Sequence, residues 1–174
     1  MKAVSDQRHK TEDTIMNDTR SIRARMRARQ HRLAVVYIRY PAQPHTSADH
    51  AEIAYQRAQV GHARAWGWPP DNILILDEDI GHGRRRTTSL KGYKRLFTLV
   101  AEGRVGLLLV DTLARLSAAP SRLIGFLQFC QQRNTLVVAD GVIVNRSDPA
   151  FKSYERLWTV AHTLERRSNG GAKA

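Results

Sequence analysis

The sequence predicts an α/β fold: a three-layer sandwich in which a mostly parallel sheet of four to five strands carries helices on both faces. Three observations predict it. Short apolar, β-branched runs recur along the chain, at 33–38, 72–77, 105–110 and 135–140. Amphipathic stretches of helical length lie between them, and Gly, Pro and polar punctuation separates the two kinds of segment. Strands that alternate with helices imply crossover connections, and crossovers imply parallel strands covered on both faces.

Each element follows from its residues. Residues 1–32 hold few large apolar side chains, among them Ile15, Met16, Ile22 and Met26, so this basic N-terminal extension is expected to be flexible or helical and to add little core. LAVVYI at 33–38 reads as a buried strand that closes at Arg39 and Pro41. A helix is expected over 47–66, capped by Thr46 or Ser47 and broken by GWPPD. NILILD at 72–77 is the second strand, followed by a Gly- and Arg-rich loop. Leu90, Tyr93, Leu96, Phe97 and Val100 mark the apolar side of the next helix, and 105–110 is the third strand. Pro120 opens a helix bearing Leu123, Phe126, Leu127 and Cys130. TLVVAD at 135–140 is the fourth strand and GVIVN at 141–145 a short fifth. The domain therefore spans 33–147. An amphipathic C-terminal helix over 148–168 and a tail over 169–174 follow it.

Composition narrows the function. Lys and Arg number 28 against 16 Asp and Glu, giving a formal net charge of +12. Such a balance favours a polyanionic partner, nucleic acid before anionic membrane. No apolar run approaches the roughly 20 residues that cross a bilayer, so no membrane partner is expected. A single cysteine excludes an intramolecular disulfide and a zinc ribbon, which suits a cytoplasmic, reducing compartment. The histidines are scattered without ligand spacing, so no metal and no cofactor is expected. Cys130 sits near Phe126 and Phe129 and reads as core rather than nucleophile.

In sheets of this type ligands bind at the C-terminal ends of the strands. Those ends carry Arg39 to Pro41, Asp77 to Gly83, Asp111 to Ser117, and Asp140. Arg39 and Arg115 would project at one sheet end and form an anion site there. In the alternative, Arg39 pairs with Asp77 or Asp111, and Arg115 pairs with Asp140.

Three clusters, YIRYP at 37–41, DEDIG at 77–81 and DTLARLSAAP at 111–120, occur in an order and spacing that resembles the catalytic domain of serine recombinases, the resolvase–invertase family. LKGYKRLFTLVAEGRVGLLLVDTLARL at 90–116 looks like the family's corresponding stretch, and the resemblance runs over roughly 34–167. It implies a resolvase-like domain over 33–147 and an interface helix over 148–168. It also implies DNA recombination chemistry, in which a serine hydroxyl attacks a DNA phosphate while arginines stabilise the transition state.

Carried across residue by residue, the resemblance places surviving catalytic positions at Arg39, Gln56 and Arg115. The nucleophile position holds Pro41, which has no hydroxyl. Two arginine positions hold Leu90 and Ala118, and the residue before Arg115 is Ala114. The pattern implies a pseudo-enzyme that binds DNA or pairs with a partner. The alternatives are an active recombinase subunit with a displaced nucleophile, supplied from Tyr40, Thr46 or Ser47, and an α/β anion- or protein-binding module unrelated to DNA. Arg20, Arg23, Arg25, Arg27, Arg29, Arg32, Arg84, Arg85 and Arg86 are the candidate DNA contacts, largely independent of base sequence. The resemblance further implies that Phe151, Tyr154, Trp158 and Ala161 form an interface, in a homodimer or with another recombinase. The family's separate DNA-reading domain has no counterpart before Ala174, so sequence reading is expected from another chain or from the basic N-terminus.

Overall fold

A computed structural model of the chain describes residues 20–82, 89–117 and 119–144. Residues 20–27 are helical (α1). Then come β1 (Leu33–Tyr40), α2 (Ser47–Ala65), β2 (Ile73–Ile80), α3 (Lys91–Ala101), β3 (Val105–Val110), α4 (Pro120–Gln132), β4 (Leu136–Ala139) and β5 (Val142–Val144). Short 3-10 turns at Pro70–Asn72 and Leu113–Arg115 complete the described chain.

The sheet has five strands in the order β2-β1-β3-β4-β5. The first four are parallel neighbours, and β5 pairs antiparallel with β4. Period-two alternation sorts the strand residues onto two faces. Val35, Tyr37, Leu108 and Val110 meet α3 and α4 residues such as Leu96, Leu99, Leu123 and Cys130. Ala34, Val36, Ile38, Leu107 and Leu109 meet Met26 of α1 and Ile53 and Ala63 of α2. All six residues of β3 are buried, as a central parallel strand covered on both sides must be. The expected α/β three-layer architecture is the one observed.

Two features go beyond the sequence reading. The first is the direction of the expected short fifth strand, β5. Asp140 and Gly141, at φ 49° and 74°, form a two-residue turn with both residues left-handed, so β5 folds straight back on β4. Asp-Gly is the dipeptide such hairpins select, because its twist matches that of the strands.

The second is the basic N-terminal segment. Met26 is only 1% exposed and Ile22 packs beside it, one turn earlier on α1. The connection into β1 is tied down as well. Trp68 Nε1 donates to Arg32 O at 2.9 Å, Asn72 Nδ2 to Gln30 O at 3.0 Å, and Gln30 Nε2 to Trp66 O at 2.6 Å. Residues 20–32 therefore belong to the folded domain, although their arginine content suggests a solvated arm.

Candidate functional site

Following β1, the chain crosses one face of the sheet through α2 to reach β2. It then returns over the other face through α3 to β3. Right-handed crossovers on opposite faces leave a crevice beyond the C-terminal ends of β1 and β3, the switch point at which doubly wound sheets bind ligands. Arg39 ends β1 at this crevice, Asp111 follows β3, and the first half of α2 runs alongside.

Helix α2 is set in place by its own capping chemistry. Thr46 Oγ1 accepts from Asp49 N at 3.1 Å, and Asp49 Oδ2 accepts from Thr46 N at 2.9 Å. This reciprocal capping box satisfies amides that the helix itself cannot. The Tyr40 hydroxyl also donates to Asp49. That bond first, then the His45 and Thr46 amides, hold the Asp49 carboxyl well below the usual carboxylate range. The same bond raises the Tyr40 phenol above its ordinary pKa.

Two residues of α2, one turn apart, then organise the crevice. Gln56 is 1% exposed, and its side-chain amide grips the Arg39 backbone: Arg39 N donates to Oε1 at 3.1 Å and Nε2 donates to Arg39 O at 3.3 Å. These main-chain groups lie past Val36, the last β1 residue in register with β3. The glutamine thus stands in for a missing strand neighbour.

Glu52, the other residue, accepts from Arg115 Nη2. The rest of that guanidinium fork lies on Asp111, with Nε 3.0 Å from Oδ1 and 3.1 Å from Oδ2, and Nη2 2.9 Å from Oδ2. Burial alone would lower the Arg115 pKa, but the bonds to Asp111 and Glu52 outweigh it and raise the pKa above the usual arginine value. The triad of one cation and two carboxylates carries a net negative charge. Arg115 therefore pairs with Asp111 and Glu52, not with Asp140, which accepts from the Tyr55 hydroxyl at 2.7 Å. Asp77 takes Arg57, at 2.6 Å.

Removing Arg115 and removing Glu52 should have unequal consequences. Asp111 is 5% exposed, so Arg115→Ala leaves its carboxylate buried and unpaired. The expected cost is about 3 kcal/mol in urea denaturation. The Glu52 side chain is 44% exposed, and Glu52→Gln should cost under about 1 kcal/mol. Equal losses for the two would show that the Asp111 pair is not the stabilising half.

A buried carboxylate of β2 is structural. Asp79, 1% exposed, accepts from the Tyr37 hydroxyl at 2.8 Å and from the Gly92 and Tyr93 amides at 2.9 and 2.8 Å. It caps α3 from a neighbouring strand, since Leu90 at the N-cap has no side chain able to do so. Burial first, then the bond to Asp79, raises the Tyr37 pKa. Cys130 is fully buried in the α4 core, and burial pushes its thiol up to about 12, far from nucleophile chemistry at neutral pH.

The sequence-predicted residues thus divide. Arg39, Gln56 and Arg115 gather around the first half of α2. Glu52, Asp49, Tyr55 and Asp79 are additions that sequence reasoning missed. A signal for Glu52 existed in its i,i+4 spacing to Gln56, which puts both on one helix face.

Among the candidate DNA contacts, Arg20, Arg23 and Arg27 are exposed on α1 and Arg25 is half-buried. Arg29 and Arg32 are already engaged. Arg29 Nε donates to Asn134 O at 3.0 Å, Arg32 Nη1 to the same carbonyl at 3.0 Å, and Arg32 Nη2 to Arg133 O at 2.9 Å. They hold the carboxyl end of α4, where helix carbonyls and the helix dipole favour cations. Ala118, Arg84, Arg85, Arg86, Phe151, Tyr154, Trp158 and Ala161 lie outside the described residues.

Solved structures share this architecture. The N-terminal catalytic domain of TP901-1 integrase matches with a TM-score of 0.58 at 13% identity, over 78% of this chain and 98% of that one. A resolvase family site-specific recombinase from Streptococcus pneumoniae matches with a TM-score of 0.50 at 16% identity, over 78% and 88% of the two chains. No family model and no curated protein matches the sequence. The chain has the fold of a resolvase-type recombinase catalytic domain. No helix among the described residues is long and apolar enough to cross a membrane.

Proposed function

We propose that this protein uses a recombinase catalytic fold to bind DNA without cutting it. The observation that carries the proposal is Arg115. The guanidinium that the family resemblance assigns to the transferring phosphate is collared by Asp111 and Glu52, within a triad that repels rather than attracts a phosphate. The neighbouring positions argue the same way. Pro41 supplies no hydroxyl where the resemblance implies serine. Of the substitute nucleophiles, Tyr40 donates to Asp49 and has a raised pKa, and the Thr46 hydroxyl is occupied as a helix cap. A phosphoryl transfer with no hydroxyl at the position of Pro41 and with Arg115 already engaged loses much of its transition-state stabilisation, since one such donor alone is worth roughly 3 kcal/mol.

DNA binding is supported by the net charge of +12 and by Arg20, Arg23 and Arg27. These lie at positions i, i+3 and i+7 of α1, one exposed stripe. Three phosphate contacts from that stripe would give a slope of log K against log salt of about −2.7. The same reading gives the chain a role beside a cutting recombinase, or in a dimer through Phe151, Tyr154, Trp158 and Ala161.

The test is trapping on a nicked suicide substrate. No covalent protein–DNA link should form with the natural chain, and Pro41→Ser alone should form none. A phosphoserine or phosphotyrosine adduct on the natural chain would overturn the non-cutting assignment.

A further inference from the structure

A cleft of about 640 Å³ lies between α1 and the carboxyl end of α2. It has an apolar floor from Ile22 and Met26, a wall formed by Trp66, and a rim carrying Arg23 and Arg27. Gln30 fixes the spacing of the two helices through its bond to the Trp66 carbonyl. Among the described residues no carboxylate lines the cleft, and neither Arg23 nor Arg27 has an ion-pair partner. The two arginines are one helical turn apart, so both guanidinium groups reach the same mouth. Trp66 is half-buried: its packing side joins the α1–α2 core, beside the His62 ring at 5.8 Å, while the residue also lines the cleft.

The position is informative. α1 leads into the start of β1, and Trp66 precedes the start of β2. The cleft therefore opens at the opposite end of the strands from the crevice of Arg39 and Arg115. Eight strand residues at ~3.3 Å each separate the two by about 25 Å. Whatever binds here does so independently of the recombinase-type site.

We infer that this cleft binds single-stranded DNA, with a base seated against Trp66 and the flanking phosphates on Arg23 and Arg27. Charge complementarity selects a polyanion. Concavity and the aromatic wall select an unpaired one, because bases in a duplex are stacked inside and present no face to a cleft. An arginine row beside an aromatic platform is what sequence-tolerant single-strand binding requires. The inference rests on the DNA-binding reading above and deepens it, since Arg23 and Arg27 belong to the same α1 stripe and gain from Trp66 a preference for the unpaired strand.

The experiment compares a short fluorescent oligothymidylate with a duplex of equal length. It uses the full chain, Trp66→Leu, Trp66→Phe, and the double variant Arg23→Ala, Arg27→Ala. Trp66→Leu should weaken the single strand about tenfold, the loss of one stacked base, and the duplex less than twofold. Trp66→Phe should recover most of the loss, which a merely structural role for the indole does not predict. The double variant should flatten the single-strand salt slope by about 1.4. Thermal unfolding of each variant separates lost binding from lost fold.

Equal losses on both kinds of strand for Trp66→Leu would overturn the inference. So would an unchanged single-strand affinity in the double variant, which would leave the cleft to an acidic peptide. Binding to duplex but not to oligothymidylate would sink this inference and spare the DNA-binding reading. Binding to neither at low salt would sink both.

Discussion

Asp79→Ala should cost about 4 kcal/mol, a large part of the 5–15 kcal/mol that holds a domain of this kind together. The substitution strands three donors at once: the Tyr37 hydroxyl and the Gly92 and Tyr93 amides. None can turn to bulk solvent, since Tyr37 and Tyr93 are buried and Asp79 itself is 1% exposed. Each bond to a charged acceptor contributes ~1.5–3 kcal/mol, and water entering the vacated space would return part of the sum. Tyr37→Phe removes one donor together with its demand, so it should cost only about 1 kcal/mol. Urea denaturation reads both. Hydrogen exchange should also show the first turn of α3 losing protection in Asp79→Ala before the rest of the helix does. A loss below about 1 kcal/mol for Asp79→Ala would mean that α3 caps itself by other means. Gly92 belongs to the same device. A Cβ there would lie 2.8 Å from Asp79 Oδ2, so only glycine lets the carboxylate approach the helix end so closely.

Deleting residues 1–32 should unfold the protein, and Met26→Ala alone should cost about 3 kcal/mol. The deletion removes a core side chain, the Arg32 and Gln30 carbonyls that receive Trp68 and Asn72, and the two arginines that hold the end of α4. The segment also runs tight against the sheet: a Cβ on Gly106 of β3 would come within 2.6 Å of the Arg29 carbonyl. Circular dichroism of the truncated chain is the direct measurement. A native-like melting transition would show that α1 is dispensable. The proposed DNA contacts on α1 are therefore tested by point substitutions at Arg20, Arg23 and Arg27, because truncation confounds lost charge with lost fold.

The legible and the illegible parts of this molecule separate by sequence distance. Strands and helices declare themselves through local periodicity, so 33–38, 72–77 and 105–110 identify β1, β2 and β3 without any knowledge of their neighbours. The Thr46 cap is local too. What failed was of two kinds. In α1 the arginines dominate composition and mask Ile22 and Met26, two apolar residues at i,i+4 that suffice to seat one helix face. At the crevice, the decisive partners come from different elements. Glu52 reaches Arg115 across 63 positions and Asp79 reaches Gly92 across 13. Only the crossover topology brings them together, and no local pattern announces which carboxylate an arginine will choose. The antiparallel β5 is an intermediate case: the strand is legible at 141–145, and its direction is set by the Asp140-Gly141 turn.

The arrangement of the outermost strands has a bearing on how the protein behaves at high concentration. A sheet edge with unpaired amides and carbonyls is a template on which a second chain can add a strand. Here one edge is β5, only three residues long and held in a tight hairpin. The other is β2, whose second half carries Asp77 and Glu78, each ion-paired with an arginine, so an approaching strand meets charged side chains there. The long, uninterrupted apolar strand, β3, is sealed in the middle of the sheet. Self-association through strand addition is thereby disfavoured at both margins of the described sheet.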